Sequence, residues 1–309
     1  MTTWKGRLRG SLMVLGAATA WGLMGTLARY LFTAGDVGPL HLTAIRSTLA
    51  ALFFFVGLLV WDQRQLRLPL KQIPQVALVG VAGLAMANFT YYYTISLTNV
   101  ATAILLQYMA PILVAIAAVF FLGERLTWMT LVALTSAVGG CLFMVKAYDP
   151  SLLRLNLPGL ISGLLSACAF AAYTLLTKRA VAQIPSWTLL VYAYAFATLF
   201  WWMVTPPWLL LSHGYSLRVW GFFLLIASAG TVLPFALFTF GLTYLPATQV
   251  SILSTMEPVV AAGAGLFFLG EVLEWPQLFG GALVVAGVVL VQQRSATPRH
   301  VPKVMPVRH

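Results

Sequence analysis

Charge is what this sequence has least of. Asp, Glu, Lys and Arg make up 8% of its 309 residues, against about 25% in soluble chains, too few to clothe a surface that faces water. Acids are scarcest, seven against 18 lysines and arginines. With 61% hydrophobic residues and a mean hydropathy of +0.91, the surface that lacks polar groups must face lipid. Cysteine is nearly missing as well. Cys141 and Cys168 fall inside apolar runs and read as small buried hydrophobes, not as a disulfide or metal pair.

Other absences narrow the function. A membrane enzyme needs convergent His, Asp, Cys or paired carboxylates at one depth. Here His41 and His213 lie near helix ends and Glu257 has no second acid beside it. A selective channel would show a carbonyl filter such as Thr-Val-Gly-Tyr-Gly or a ring of acids, and neither is present. The formal charge of +11 does not indicate nucleic acid, because the basic residues sit in short loops between apolar runs and not among aromatics on a polar face. No metal or cofactor is expected. The remaining partners are the lipid bilayer and a small-molecule substrate, with protons as a candidate coupling ion.

Apolar runs of membrane-crossing length fall at 11–32, 39–61, 73–97, 100–121, 126–146, 157–177, 185–206, 217–243, 247–268 and 275–292. Each is long enough, at about 1.5 Å per residue, for a hydrocarbon core of about 30 Å. Lys5, Arg7 and Arg9 followed by an apolar stretch to Ala18-Thr19-Ala20 imitate a cleavable signal peptide. The apolar run continues to Phe32, however, so it reads as a retained first helix. The expected fold is therefore all-α and integral to the membrane, with ten transmembrane helices and a disordered basic cytoplasmic tail at 294–309.

Lysine and arginine set the orientation. One set of loops carries Lys5, Arg7, Arg9, Arg64, Arg67, Lys71, Arg125, Lys178, Arg179, Arg294, Arg299, Lys303 and Arg308. The other carries Lys146, Arg154 and Arg218, with Arg29 and Arg46 in the adjoining helix halves and Asp36, Asp149, Glu271 and Glu274 beside them. The positive-inside rule places both termini in the cytoplasm of a multi-pass protein of the plasma (inner) membrane.

The chain also repeats itself at an offset of 147. Residues 98–145 align without a gap on 245–292, with 15 of 48 positions identical. Ala110-Pro111 meets Glu257-Pro258, Phe120-Phe121-Leu122-Gly123-Glu124 meets Phe267-Phe268-Leu269-Gly270-Glu271, and Trp128 meets Trp275. The expected halves are 1–147 and 148–293, each with five helices. An odd number inverts the second half, and inverted repeats place their substrate site where the halves meet.

Two halves that each run through proline, an apolar stretch, Leu-Gly-Glu and a closing helix resemble the drug/metabolite transporter superfamily, EamA-type branch. Tyr108-Met109-Ala110-Pro111 to Gly123-Glu124 and Met256-Glu257-Pro258 to Gly270-Glu271 carry the likeness, with Trp21-Gly22 and Arg46 in the family's usual places. The resemblance implies an exporter of small organic metabolites, amino acids or amines, working by alternating access. A channel or facilitator is the alternative, and a membrane-embedded enzyme stands further off.

Glu257 is the one carboxyl deep inside an apolar run. A charged carboxylate at mid-membrane costs about 2.5–3.5 kcal/mol on insertion scales, so it reads either as a proton or cation site or as a group bonded to a neighbouring hydroxyl. Pro111 and Pro258 each free a carbonyl, at Gln107 and Ser254, and are expected to kink their helices. Trp21, Asn88, Tyr92, Gln107, Tyr108, Tyr173, Ser254 and Glu257 are the expected substrate-binding residues. Arg46 reads either as a group that binds a substrate carboxylate or as one whose head snorkels to the outer interface, and Arg29 reads as a snorkelling residue. Glu124 and Glu271 read as structural, each favoured by the N-terminal dipole of the helix that follows it.

Overall fold

The computed structural model describes residues 4–33, 37–150, 156–269 and 272–293. The side chain of Arg29, residues Asp36, Arg154 and Glu271, and the basic tail lie outside that description. Among the described residues 85% are helical and no strand occurs. The long helical runs are α1 (Trp4–Thr33), α2 (Pro39–Trp61), α3 (Leu70–Leu97), α4 (Val100–Leu122), α5 (Trp128–Met144), α6 (Leu157–Ala180), α7 (Ser186–Val204), α8 (Leu217–Tyr244), α9 (Ala247–Phe268) and α10 (Trp275–Gln293). Eight of them, α2–α4 and α6–α10, are long and apolar enough to cross a membrane. α5, at 17 residues, is shorter.

Local chemistry explains the starts of several runs. The side chains of Asn99, Asn156 and Thr127 accept from the backbone N–H groups of Thr102 (2.8 Å), Gly159 (2.8 Å) and Thr130 (3.3 Å). Each satisfies a donor that has no partner inside its own helix. Cys141 is buried as expected, but Cys168 is exposed on α6. An apolar run does not say which of its faces turns outward.

The helix boundaries recur at the offset seen in the sequence. Leu70–Leu97 returns as Leu217–Tyr244, and both contain a π-helical stretch, Val79–Ala85 and Ser228–Val232. α5 and its counterpart α10 pack directly on each other. Ser136 donates to the carbonyl of Leu283 at 2.8 Å, and Gln277 donates to that of Met144 at 3.2 Å. A methyl group added to Gly140 would meet Gly280 O at 2.5 Å and Val284 N at 2.8 Å, and Gly287 lies just as close to Ala133 and Ala137. Along this seam the numbers rise on one helix as they fall on the other, so the two counterparts run antiparallel.

Candidate functional site

Pro111 and Pro258 were expected to kink continuous helices. Instead the helices stop and restart. α4 divides into Val100–Gln107 and Ala110–Leu122, and α9 into Ala247–Ser254 and Glu257–Leu269. Each proline stands in the first turn of a second segment, where the N–H it lacks would have no partner inside the helix. Glu257 opens its segment, so its carboxyl sits where the helix dipole favours negative charge. Gly22 lets α1 approach this spot, since a side chain there would strike Glu257 O at 2.7 Å and Ala261 N at 3.1 Å.

Both breaks border one cavity of about 90 Å³, lined by α1–α4, α6, α8 and α9. That is room for several water molecules at about 10–15 Å³ each. Seven of the eight residues singled out from the sequence line it: Trp21, Asn88, Tyr92, Gln107, Tyr108, Ser254 and Glu257. Pro111 lines it too, whereas Pro258 does not. Tyr108, from the break in α4, donates its hydroxyl to Glu257 Oε2 at 3.1 Å, joining the two breaks. Gln107 Nε2 donates to Ser166 Oγ at 3.1 Å, and Asn88 Nδ2 returns to the carbonyl of Leu84 at 2.7 Å.

Tyr173 is the exception. It is buried one turn along α6 from the cavity residue Phe170, with its hydroxyl 3.0 Å from Thr239 Oγ1. Its ring packs against Phe170, Phe235 and Phe238 at centroid distances of 6.2, 5.6 and 5.8 Å, and Trp21 meets the same three rings at 5.2–6.1 Å. Trp21, Phe170 and Phe235 floor the cavity on the side of Lys178, and Tyr173 and Phe238 pack behind them. Mid-helix position alone did not reveal which way Tyr173 points.

Arg46 requires the opposite correction. It does not snorkel outward; it is 4% exposed and lines the cavity. Its Nε donates to Thr231 Oγ1 at 3.0 Å, Nη1 to the Tyr92 hydroxyl, and Nη2 to Gly230 O at 3.4 Å. The Gly230 carbonyl is open because Pro234, four residues on, has no N–H to give it. That proline, inside the apolar run of α8, was the signal available in the sequence. Every partner of the guanidinium is neutral. The ion pair found among the described residues is Lys146–Glu274, at the molecule's edge, so Arg46 and Glu257 share the cavity without pairing. Tyr91, beside Tyr92, also lines it.

Glu124 is structural in effect, but the helix it serves is not the one that follows it. Its carboxylate accepts from the N–H groups of Ala247 (2.6 Å) and Thr248 (3.2 Å), capping α9. Lys178 donates to the carbonyls of Leu242 and Leu245 at 2.7 and 2.8 Å, closing the end of α8. The turn between α8 and α9 is thus gripped by an acid and a base from two other elements.

The model of the EamA-like transporter family matches this chain twice, at residues 8–146 and 157–292. The chain belongs to the EamA-like transporter family. It is a multi-pass membrane protein whose partners are a small-molecule substrate and the bilayer. An uncharacterized transporter of Archaeoglobus fulgidus is 30% identical over 87% of this chain and 92% of its own length. The threonine/homoserine exporter RhtA of Escherichia coli K12 is 30% identical over 85% of this chain and 84% of its own. The pseudopaline exporter CntI of Pseudomonas aeruginosa is 25% identical over 92% and 96%. A crystal structure at 19% identity superposes with a TM-score of 0.75, covering 93% of this chain and 99% of the other, a likeness of fold.

Proposed function

We propose that this protein is a secondary exporter of small zwitterionic metabolites, amino acids above all, in the plasma (inner) membrane. In this reading α1 and α5 cross the bilayer with the other eight helices. Both termini are cytoplasmic, and residues 1–147 and 148–293 form inverted halves that alternate access to the cavity. The antiparallel seam between α5 and α10 supports inversion. A two-fold operation that exchanges antiparallel helices has its axis across them, in the membrane plane.

One observation carries the substrate reading. A buried guanidinium and a half-buried carboxyl border the same cavity and do not pair with each other. Unpaired charge in a membrane interior is costly and marks a substrate or ion path. A zwitterion answers both groups, its carboxylate meeting the planar fork of Arg46 and its ammonium meeting Glu257. Tyr91, Tyr92 and Trp21 supply apolar walls. Threonine and homoserine, the substrates named for RhtA, have this charge pattern. When the substrate leaves, a proton takes its place on Glu257, which couples export to the proton gradient.

A thermal-shift screen of the purified protein tests the reading, since a ligand that binds only the folded state raises the melting temperature. L-threonine and its relatives should stabilise the protein. Threonine amide and the amine without a carboxylate should bind at least ten-fold more weakly. Equal binding of the amine alone would remove Arg46 from the site.

A further inference from the structure

Between Glu257 and the gripped turn, α9 presents a hydroxyl at every third residue: Ser254, Ser251 and Thr248. Residues three apart are neighbours on a helix surface. From Ile252 to Met256 the backbone tightens further. Thr255 N bonds Ile252 O at 3.2 Å and Met256 N bonds Leu253 O at 3.3 Å, a three-residue pattern that brings such side chains into line. Ser254 Oγ donates to Ser251 O at 2.8 Å. The hydroxyls of Ser251 and Thr248 are buried, 0% and 3% exposed, and find no hydrogen-bond partner among the described residues. Buried hydroxyls are ordinarily paired, so two consecutive exceptions on one row need a reason. The row ends at Glu124, partly exposed, whose carboxylate holds the N–H of Thr248.

The sister repeat shows that the fold does not require this row. The positions matching Thr248, Ser251, Ser254 and Glu257 are Ala101, Ile104, Gln107 and Ala110. Hydroxyls and acid occur together in one half and are missing together from the other.

We propose that this row is a proton path joining Glu257 to Glu124 and the cytoplasm. The proposal rests on the reading of Glu257 as the group that exchanges a proton for substrate. In each hop a hydroxyl, bridged by water to the next, passes on its own proton and takes that of its neighbour. One proton moves from one carboxyl to the other, no bond but O–H changes, and nothing is oxidised. The aromatic floor of Trp21, Phe170 and Phe235, backed by Tyr173 and Phe238, lies on the same side of the cavity. It bars an amino acid from the cytoplasmic end while the row passes a proton, which is what coupling without leakage needs.

The test reads the carboxyl itself and needs no substrate. In oriented proteoliposomes, infrared spectroscopy follows hydrogen–deuterium exchange of the carboxyl band that disappears in Glu257→Gln, after deuteration on the Glu124 side. Ser251→Ala combined with Thr248→Val should slow that exchange at least ten-fold. Ser251→Thr combined with Thr248→Ser keeps both hydroxyls and should exchange at the wild-type rate. Glu124→Gln, which leaves the row intact, should slow exchange as well. Wild-type rates in the first pair and in Glu124→Gln would overturn the path while leaving Glu257 as the coupling acid. A missing Glu257 band at every pD at which the protein stays folded would instead remove the titrating acid, and the path with it.

Discussion

At the break in α4 the chain reads Gln107, Tyr108, Met109, Ala110, Pro111; at the break in α9 it reads Ser254, Thr255, Met256, Glu257, Pro258. The backbone does the same thing twice, stopping three residues before each proline's own segment takes hold and restarting in its first turn. The chemistry differs. One break supplies an amide and a phenol, the other hydroxyls and an acid, and the two meet where Tyr108 donates to Glu257. The shared backbone therefore fixes where polar groups stand at the two breaks, and the residues that differ decide what each break can do. Arg46 belongs to the same pattern. Its repeat-offset counterpart is Ala193, so base and acid are each present in one half only.

The largest expected effect comes from removing the acid that only one of the two breaks carries. Glu257→Gln keeps the shape of the side chain and an acceptor for Tyr108 but removes titration. Proton-driven transport in proteoliposomes should fall by about 100-fold, with the protein still folded. Wild-type transport with unchanged pH dependence would reduce Glu257 to a helix-bonding group. Arg46→Lys should do less. It keeps the charge and gives up the fork, so binding of a zwitterion by calorimetry should weaken about ten-fold, ~1.4 kcal/mol. A neutral analogue should notice the change far less.

These two residues also show what could be read beforehand. The helices were legible because a lipid-facing segment has to be apolar for its whole length, and α2 and α9 fall on the expected bounds, 39–61 and 247–268. Glu257 was legible because an isolated acid in such a run demands an explanation. Arg46 was legible only as an alternative, carboxylate binder or snorkelling head, because the length of its side chain allows it to reach outward from two turns inside a helix. What turns it inward are Tyr92, Thr231 and Gly230, and the last two come from the other half of the chain. Tyr173 and Glu124 failed for the same physical reason. Periodicity fixes spacing along a helix, whereas the direction of a face and the identity of a distant partner depend on packing between helices.

The seam between α5 and α10 tests the inversion itself. Gly140→Val places a branched side chain against Gly280 and Val284, and overpacking of this kind costs about 1–3 kcal/mol. The purified variant should melt at a lower temperature, and Gly287→Val should behave alike because it meets Ala133 and Ala137 from the other side. Gly139, which has open space where a Cβ would stand, should accept alanine with little change. A large effect at Gly139 and none at Gly140 would mean that the two counterparts do not pack as described.

The smallest effect is expected where the halves begin their last helices. Thr127 and Glu274 occupy matching positions before α5 and α10. Thr127 caps its own helix. Glu274 receives the reciprocal contact instead, its N–H donating to Gln277 Oε1 at 3.1 Å, while its carboxylate accepts from Lys146 and Tyr148, both at 2.6 Å. The hydrogen bonds from Lys146 and Tyr148 hold the Glu274 carboxyl below its usual value. A lowered folded value means that the contribution to stability is complete above the unfolded value and is lost as pH falls through the folded one. The contact therefore helps at neutral pH and fades only in acid, below the ordinary carboxylate range. Because it is exposed to solvent, salt screens it and its worth is small. Glu274→Gln should lower the melting temperature slightly at pH 7 in low salt, by less than either glycine substitution, and not at all once wild-type Glu274 is itself protonated. A drop that persists unchanged in strongly acid buffer would assign the loss to packing and not to charge.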